Sequence, residues 1–228
     1  MDTRSLIQGL RFVDSFFPSG GFAFSSGLES AVKCGAIENG KDLAGYVEDL
    51  LVHGVGKREA AATATAHLAA ATDRLDLALT VDRQLDELKL SRESRLASRQ
   101  IGRQVMKGAA GQNDENRVVK EFRCAIDEGR TPGHVPVAIG LTLAGCGWSR
   151  QDTVAAFLYQ TAQGFVSAAM KLLPVGQQEG QQLLNDWAPL MAELSRRAKP
   201  QANLMSWSPV QDIYAMRHAR LESRLFRS

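Results

Sequence analysis

The stretch SRQDTVAAFLYQTAQGFVSAAMKLLP, residues 149–174, decides the fold class. Its apolar side chains recur every three or four residues, which is the spacing of one face of an α-helix. Ser149 is a suitable N-cap, and Pro174 ends or kinks a helix because it lacks the N–H group that the helix needs. The stretch therefore predicts one long helix, whose inward face holds Val154, Leu158, Thr161, Phe165 and Ala169.

Helical spacing continues along the rest of the chain, and alternating runs rich in Val, Ile and Thr are nearly absent. Asp42 is a predicted N-cap, for a helix that Gly54–Gly56 interrupts, and no repeat period is visible. The sequence therefore predicts an all-α protein, a single-domain helical bundle of about eight to ten helices over residues 1–228. Further helices are predicted at 75–108 as a pair or one broken helix, at 116–128, 135–146 and 177–197, and from Pro209 onward.

The composition of the chain excludes several classes of protein. The formal net charge of +2 does not indicate a nucleic-acid partner. Three cysteines, Cys34, Cys124 and Cys146, lie far apart in the sequence, which disfavours a zinc site and favours a reducing compartment. The most apolar run, 135–147, is too short to span a membrane, and no signal peptide is visible. We therefore expect a cytoplasmic protein without a membrane partner.

An aromatic turn, DSFFPSGGFAFSSGLES at residues 14–30, holds four of the nine phenylalanines. Pro18–Gly21 predicts the turn, since glycine adopts backbone angles that other residues resist. Ser26 and Glu29 have the spacing of a capping box for the next helix. Phe22 and Phe24 follow the glycines directly, so we predict that these two side chains face a partner.

The search for catalytic residues finds none. Gly54–Lys57 resembles part of a phosphate-binding loop, but Leu51 and Arg58 stand where that motif requires Gly and Ser or Thr. The four histidines are scattered, and His134 in its stiff loop either meets a ligand or is structural. We predict no catalytic residue, no metal site and no cofactor. A nucleotide-binding hydrolase is the alternative that these two features leave open.

Two arginine-rich stretches are the remaining positive features. A basic stripe runs along a predicted helix from Arg92 to Lys107, and a solvated surface explains it as well as an anionic partner does. At helical spacing, the arginines at 217, 220, 224 and 227 fall within an arc of about 80°. Leu225 and Phe226 then predict that the C-terminal segment docks on a partner, or else packs on its own core. A helical module that binds anionic surfaces is a further alternative.

Three blocks of the sequence resemble the UreF family of urease accessory proteins. They are the aromatic turn at 14–30, the segment SAAMKLLPVGQQEGQQLL at 167–184 and the segment MRHARLESRLFRS at 216–228. The blocks occur in the same order as in the family, and weaker similarity fills the stretches between them. Three ordered blocks over nearly the whole chain are a specific signal, unlike a single short motif.

The resemblance implies an all-α homodimer that has no catalytic activity of its own. It implies a role in the insertion of nickel into urease. In that role the protein bridges the UreD/UreH scaffold and the UreG GTPase, in a complex that engages the urease apoprotein. In the family, nickel is thought to pass through an internal passage of this complex. The order of residues 1–20 and 200–228 could depend on a partner.

The sequence departs from the family pattern at several positions. Phe22 stands where many members have Tyr, Phe24 replaces a residue that is often His or Trp, and Lys171 stands where Arg is common. Ala219 replaces the Glu that usually follows His218, which removes that pairing. The predicted partner-binding residues are Phe22, Phe24, Arg217, Arg220, Arg224, Leu225, Phe226, Arg227 and Ser228.

Overall fold

The computed structural model describes residues 2–111, 115–201 and 203–227. These residues form eleven α-helices and no strand, which confirms the all-α fold class with slightly more helices than predicted. A 3₁₀ turn covers Gly21–Ala23, and a π-helical turn covers Leu50–Val55. In chain order the helices are α1 (Thr3–Val13), α2 (Leu28–Lys33), α3 (Gly40–Asp49), α4 (Arg58–Ala71), α5 (Leu75–Leu88), α6 (Arg92–Gly108), α7 (Arg117–Asp127), α8 (Val135–Gly145), α9 (Arg150–Leu172), α10 (Gln177–Arg197) and α11 (Pro209–His218).

The apolar helix α8 lies at the centre, packed against α4, α6 and α9. It is apolar on all sides, as expected of a helix that neighbours surround. Small residues bring α4 and α8 together: a Cβ atom added at Gly140 would lie 2.5 Å from the carbonyl oxygen of Thr63. This close approach explains why α4 is rich in alanine.

The helix predicted from residues 149–174 is confirmed. The helix α9 runs from Arg150 to Leu172, and the Ser149 hydroxyl accepts a hydrogen bond from the Asp152 N–H at 3.1 Å. Its chain leaves the helical conformation one residue before Pro174, as the missing proline N–H requires. No helix in the described ranges has the length and apolar character needed to cross a membrane.

Two predicted helix caps are wrong. The helix α3 is capped by Asn39, whose side chain accepts from the N–H groups of Lys41 and Asp42, so Asp42 lies in the first turn. Ser26 and Glu29 do not form a capping box, because α2 begins at Leu28 and Gly27 precedes it with φ +89°. The Glu29 side chain turns into the protein instead, where it meets the C-terminal segment.

Candidate partner-binding site

The C-terminal segment 219–227 is not helical. The helix α11 ends at His218, so the predicted helical arc does not describe the arginines at 220, 224 and 227. The reason lies in the backbone hydrogen bonds of the segment. The N–H groups of Leu225 and Phe226 donate to the side chain of Glu29, and that of Arg227 donates to the carbonyl oxygen of Ala23 at 2.8 Å. We call residues 219–227 the tail.

Glu29 is the residue that holds the tail. Its side chain is 1% exposed, and its two oxygens accept from the N–H groups of Leu225 at 2.7 Å and Phe226 at 3.0 Å. Burial opposes the charge of this carboxylate, but these N–H groups and His218 outweigh it and hold the pKa of Glu29 below its ordinary value. Glu29 is therefore an ionised carboxylate that is buried among donors.

His218 connects Glu29 to a second carboxylate. Its fully buried ring bonds through Nε2 to Glu29 at 3.0 Å and through Nδ1 to Glu93 of α6 at 2.7 Å. Glu93 also accepts from the Arg224 side chain at 2.9 Å. Although Ala219 supplies no carboxylate, His218 is paired with two glutamates that are distant in sequence. The tail is thus joined to both α2 and α6.

The predicted partner-binding residues divide into exposed and buried side chains. Phe22 is 73% exposed and Leu225 is 63% exposed, whereas Phe24 is half-buried. Phe226 is buried, and the Lys171 ammonium lies 5.2 Å from the centre of its ring. The bond between Arg227 and Ala23 places the tail beside the Phe22–Phe24 turn. The arginines at 217, 220, 224 and 227 are exposed, and Ser228 lies outside the described residues.

A cavity of about 290 Å³ lies behind this surface, between the aromatic turn and helices α6, α9 and α11. Phe22 and Phe24 line it on the side of the turn. Hydroxyl and amide side chains, such as Ser94, Gln160 and Gln211, make up much of the rest of its wall. The exposed aromatic turn is therefore one wall of a chamber whose mainly apolar lining also carries hydroxyl, amide and charged groups.

A buried ion cluster forms part of the chamber wall. The Oε1 atom of Glu59 accepts from Arg58 at 2.9 Å and from Lys89 at 2.7 Å, whereas Oε2 accepts no hydrogen bond from any residue that the structure describes. Burial raises the pKa of Glu59, but the two cations outweigh it and bring that pKa to about 2. Burial, together with the charge of Glu59, raises the pKa of Asp212, which also lines the chamber. One wall of the chamber thus holds charges of both signs.

Two features leave a nucleotide-binding hydrolase as an alternative, namely His134 and the segment Gly54–Lys57. The structure shows both as parts of the protein's own packing. His134 is fully buried, with Nδ1 3.0 Å from the Ser98 hydroxyl and Nε2 3.0 Å from Asp86. Burial lowers the pKa of His134 to about 4, so its ring is neutral at pH 7. Gly54 lies within the π-helical turn that follows α3, and no strand precedes it in the described residues as a phosphate-binding loop requires. Within the described ranges, no three His, Cys, Asp or Glu side chains are grouped as metal ligands.

The basic stripe of α6 is partly used within the fold as well. Arg99 forms an ion pair with Asp86, and Arg95 donates to the Asp86 carbonyl oxygen at 3.3 Å. Arg103 donates to the carbonyl oxygen of Pro132 at 3.1 Å. These three side chains tie α6 to the end of α5 and to the loop before α8. The stripe is therefore partly structural, which weakens the alternative of an anionic surface.

Comparison with known proteins agrees with the three blocks. The sequence model of the UreF family matches residues 37–188 of the chain. The chain belongs to the UreF family. The "Urease accessory protein UreF" of Methylorubrum populi is 36% identical over 229 residues, which cover 98% of this chain and all of that protein. The proteins of the same name from Actinobacillus pleuropneumoniae serotype 5b and Haemophilus influenzae Rd are each 30% identical over 221 residues, covering 96% of this chain and 97% and 94% of theirs.

Membership in the UreF family makes this chain a urease accessory protein. Such a protein is expected to associate with other urease maturation factors. The residues that join the aromatic turn to the tail carry no signal of that role in the sequence. The spacing of Ser26 and Glu29 predicts a helix cap, and the sequence does not distinguish Glu93 from the other charged residues of α6. Glu29 lies two positions after Gly27, and the sequence around it carries no local sign of a partner near residue 225.

Proposed function

We propose that this UreF-family chain is an adaptor in the insertion of nickel into urease. It bridges the UreD/UreH scaffold and the UreG GTPase, engages the urease apoprotein and regulates GTP-dependent delivery of nickel. It acts as a homodimer in the cytoplasm, and residues 1–228 form a single domain. The partner-facing surface comprises Phe22, Phe24, Arg217, Arg220, Arg224, Leu225 and Arg227, together with Ser228, and the buried Phe226 supports it from within.

The observation that carries this proposal is the joining of the aromatic turn and the tail through Glu29. Exposed Phe22 and Leu225 present apolar area, and Arg224 and Arg227 lie beside them. Aromatic and arginine side chains dominate the energetics of protein interfaces. Buried Phe226 contributes by anchoring the tail, so its neighbours are held in one arrangement before a partner arrives.

The oxygen-bearing groups in the chamber wall support a role in nickel transfer. Its wall offers hydroxyl, amide and carboxylate oxygens, which bind Ni²⁺ more weakly than imidazole or thiolate groups do. A conduit must release its ion, so weak ligands suit a passage better than a closed site of strong ligands. In this proposal nickel is cargo that crosses the chamber in its hydrated form.

The test is reconstitution from purified components. The full chain, its scaffold and GTPase partners and apo-urease are mixed and separated by size-exclusion chromatography with light scattering. Phe22→Ala and Arg224→Ala are each expected to weaken recruitment at least about tenfold, as removal of an interface anchor does. Tyr159→Ala and Arg196→Ala serve as matched exposed controls. Failure of the unaltered chain to bind either scaffold or GTPase, in any order of addition, would remove the proposal.

A further inference from the structure

A second surface of the protein carries exposed apolar and basic side chains. Ile7 and Leu10 are 63% and 49% exposed on α1, and Phe16 just beyond the helix is 93% exposed. Residues 4, 7, 10 and 11 lie on one side of a helix, so Arg4 and Arg11 flank the two apolar side chains. We call this the α1 surface. It lies apart from the contacts that Glu29 makes.

The α1 surface belongs to a helix that is fixed to the protein on its other side. Phe12 is fully buried, and the Trp148 Nε1 group donates to the carbonyl oxygen of Ser5 at 2.9 Å. Gly9 faces Trp148 so closely that an added Cβ atom would lie 2.1 Å from Nε1. Because these contacts fix which side of α1 is buried, the exposure of Ile7 and Leu10 is imposed by the fold.

The charge of the α1 surface is positive. Arg11 donates to the carbonyl oxygen of Gly108 at 3.3 Å, and with Lys107 it lines a groove that also contains Phe16. In the part of the chain that the structure describes, neither these two cations nor Arg4 forms an ion pair. Two carboxylates lie nearby, Asp2, which accepts from the Ser5 N–H at 2.9 Å, and Asp14, which accepts from the Phe16 N–H at 2.8 Å. Three cations therefore stand against two carboxylates, which leaves the surface with a net positive charge.

We propose that the α1 surface docks an acidic segment of a partner protein that inserts an apolar side chain between Ile7, Leu10 and Phe16. Exposed apolar side chains give such a segment an anchor, and the unpaired cations select carboxylates around it. A second copy of this chain would bring the same positive charge to the contact, which disfavours self-association here. The inference rests on the proposed function only for the identity of the natural partner.

A peptide titration tests the docking chemistry directly. The probe is a fluorescein-labelled helical peptide with Leu side chains on one face and Glu on the flanks, titrated with the full chain. Binding is expected near micromolar affinity at 50 mM salt and roughly tenfold weaker at 300 mM, because rim charges are screened. Arg4→Glu with Lys107→Glu, and separately Ile7→Glu, are each expected to weaken binding at least about tenfold.

The matched control is Arg196→Glu with Lys120→Glu, which makes the same change of net charge at exposed positions elsewhere. Equal binding by this control and the α1 variants would overturn the inference, and so would no binding by the unaltered chain. Circular dichroism checks that each variant is folded. Because all substituted positions are exposed, the variants are expected to keep their helicity.

A photo-crosslinker at position 7 of the full chain then identifies the natural occupant among scaffold, GTPase and apo-urease. Crosslinks to an acidic segment of one component support the inference. Crosslinks to a second copy of this chain, or tighter binding to vesicles of anionic lipid than to the peptide, overturn it. If the peptide binds as expected but no component joins the complex, the proposed function fails and the docking chemistry stands.

Discussion

Substitution of Glu29 by Gln is expected to release the tail without unfolding the protein. Glu29 accepts from two backbone N–H groups through separate oxygens, at 2.7 Å and 3.0 Å, and each charge-assisted bond is worth about 1.5–3 kcal/mol. A glutamine keeps one oxygen and presents an NH₂ group where the other stood, so about 2–4 kcal/mol is lost. The equilibrium for opening the tail should therefore shift by about 30- to 1,000-fold.

Amide hydrogen exchange measured by mass spectrometry follows this opening. The peptide that contains Leu225 and Phe226 should exchange faster in the variant by that factor, while α8 and α9 keep their protection. Glu93→Gln is the matched control, since Glu93 contacts His218 and Arg224 but no backbone N–H of the tail. Unchanged exchange in Glu29→Gln, or an equal change in both variants, would refute the role assigned to Glu29.

The same carboxylate gives the tail a pH dependence of known sign. The pKa of Glu29 in the folded protein is lowered from its ordinary value, so its contribution is fully present above the unfolded pKa. That contribution is lost as pH falls through the folded pKa, when the carboxylate gains a proton. The protection of the tail amides, measured against the intrinsic exchange rate at each pH, should therefore fall on acidification below about pH 4, before that of α8. A tail that opens between pH 7 and 5 would contradict this reasoning.

Two further predictions concern stability. Because the pKa of His134 falls to about 4 on folding, the unfolded chain binds more protons than the folded protein as the pH falls. The free energy of unfolding, measured by urea denaturation, should therefore fall by about 1 kcal/mol from pH 7.5 to 5.5, and by less in His134→Gln. Equal pH dependence in the two proteins would argue against this role of His134. Gly27→Ala should lower the thermal midpoint by about 4–8 °C, since its Cβ atom would lie 2.8 Å from the Ala215 backbone nitrogen and its φ is +89°. The control Gly129→Ala has a positive φ but open space, and an equal loss there would exclude crowding at Gly27 as the cause.

Helices such as α8, α9 and α10 could be predicted because their information is local. The apolar spacing of α9, its Ser149 cap and Pro174 all lie within one continuous stretch. The helix α1 also has a cap, Asp2, but the residues that decide which side it buries are Trp148 and Gln160, far along the chain. For that reason its exposed side could not be read from the sequence.

The contact that joins the aromatic turn to the tail could not be predicted from the sequence. The aromatic turn and the tail are rich in the aromatic, apolar and arginine residues that are typical of interfaces. This composition is the reason why Phe22 and Leu225 are predicted to face a partner. That Phe226 turns inward while Leu225 turns outward depends on hydrogen bonds between residues 196 and 197 positions apart. A capping-box pattern at Ser26 and Glu29 misled the prediction, because a buried acceptor for the tail outweighs a local helix cap.

The contact between Glu29 and the tail also sets an order of events during synthesis. Leu225 follows Glu29 by 196 residues, which a ribosome adds in about 10–40 s at 5–20 residues per second. Throughout that interval the carboxylate has neither His218 nor the backbone donors that accompany it in the finished protein. The surface formed by the aromatic turn and the tail is therefore assembled last, so a nascent or truncated chain cannot present it to a partner.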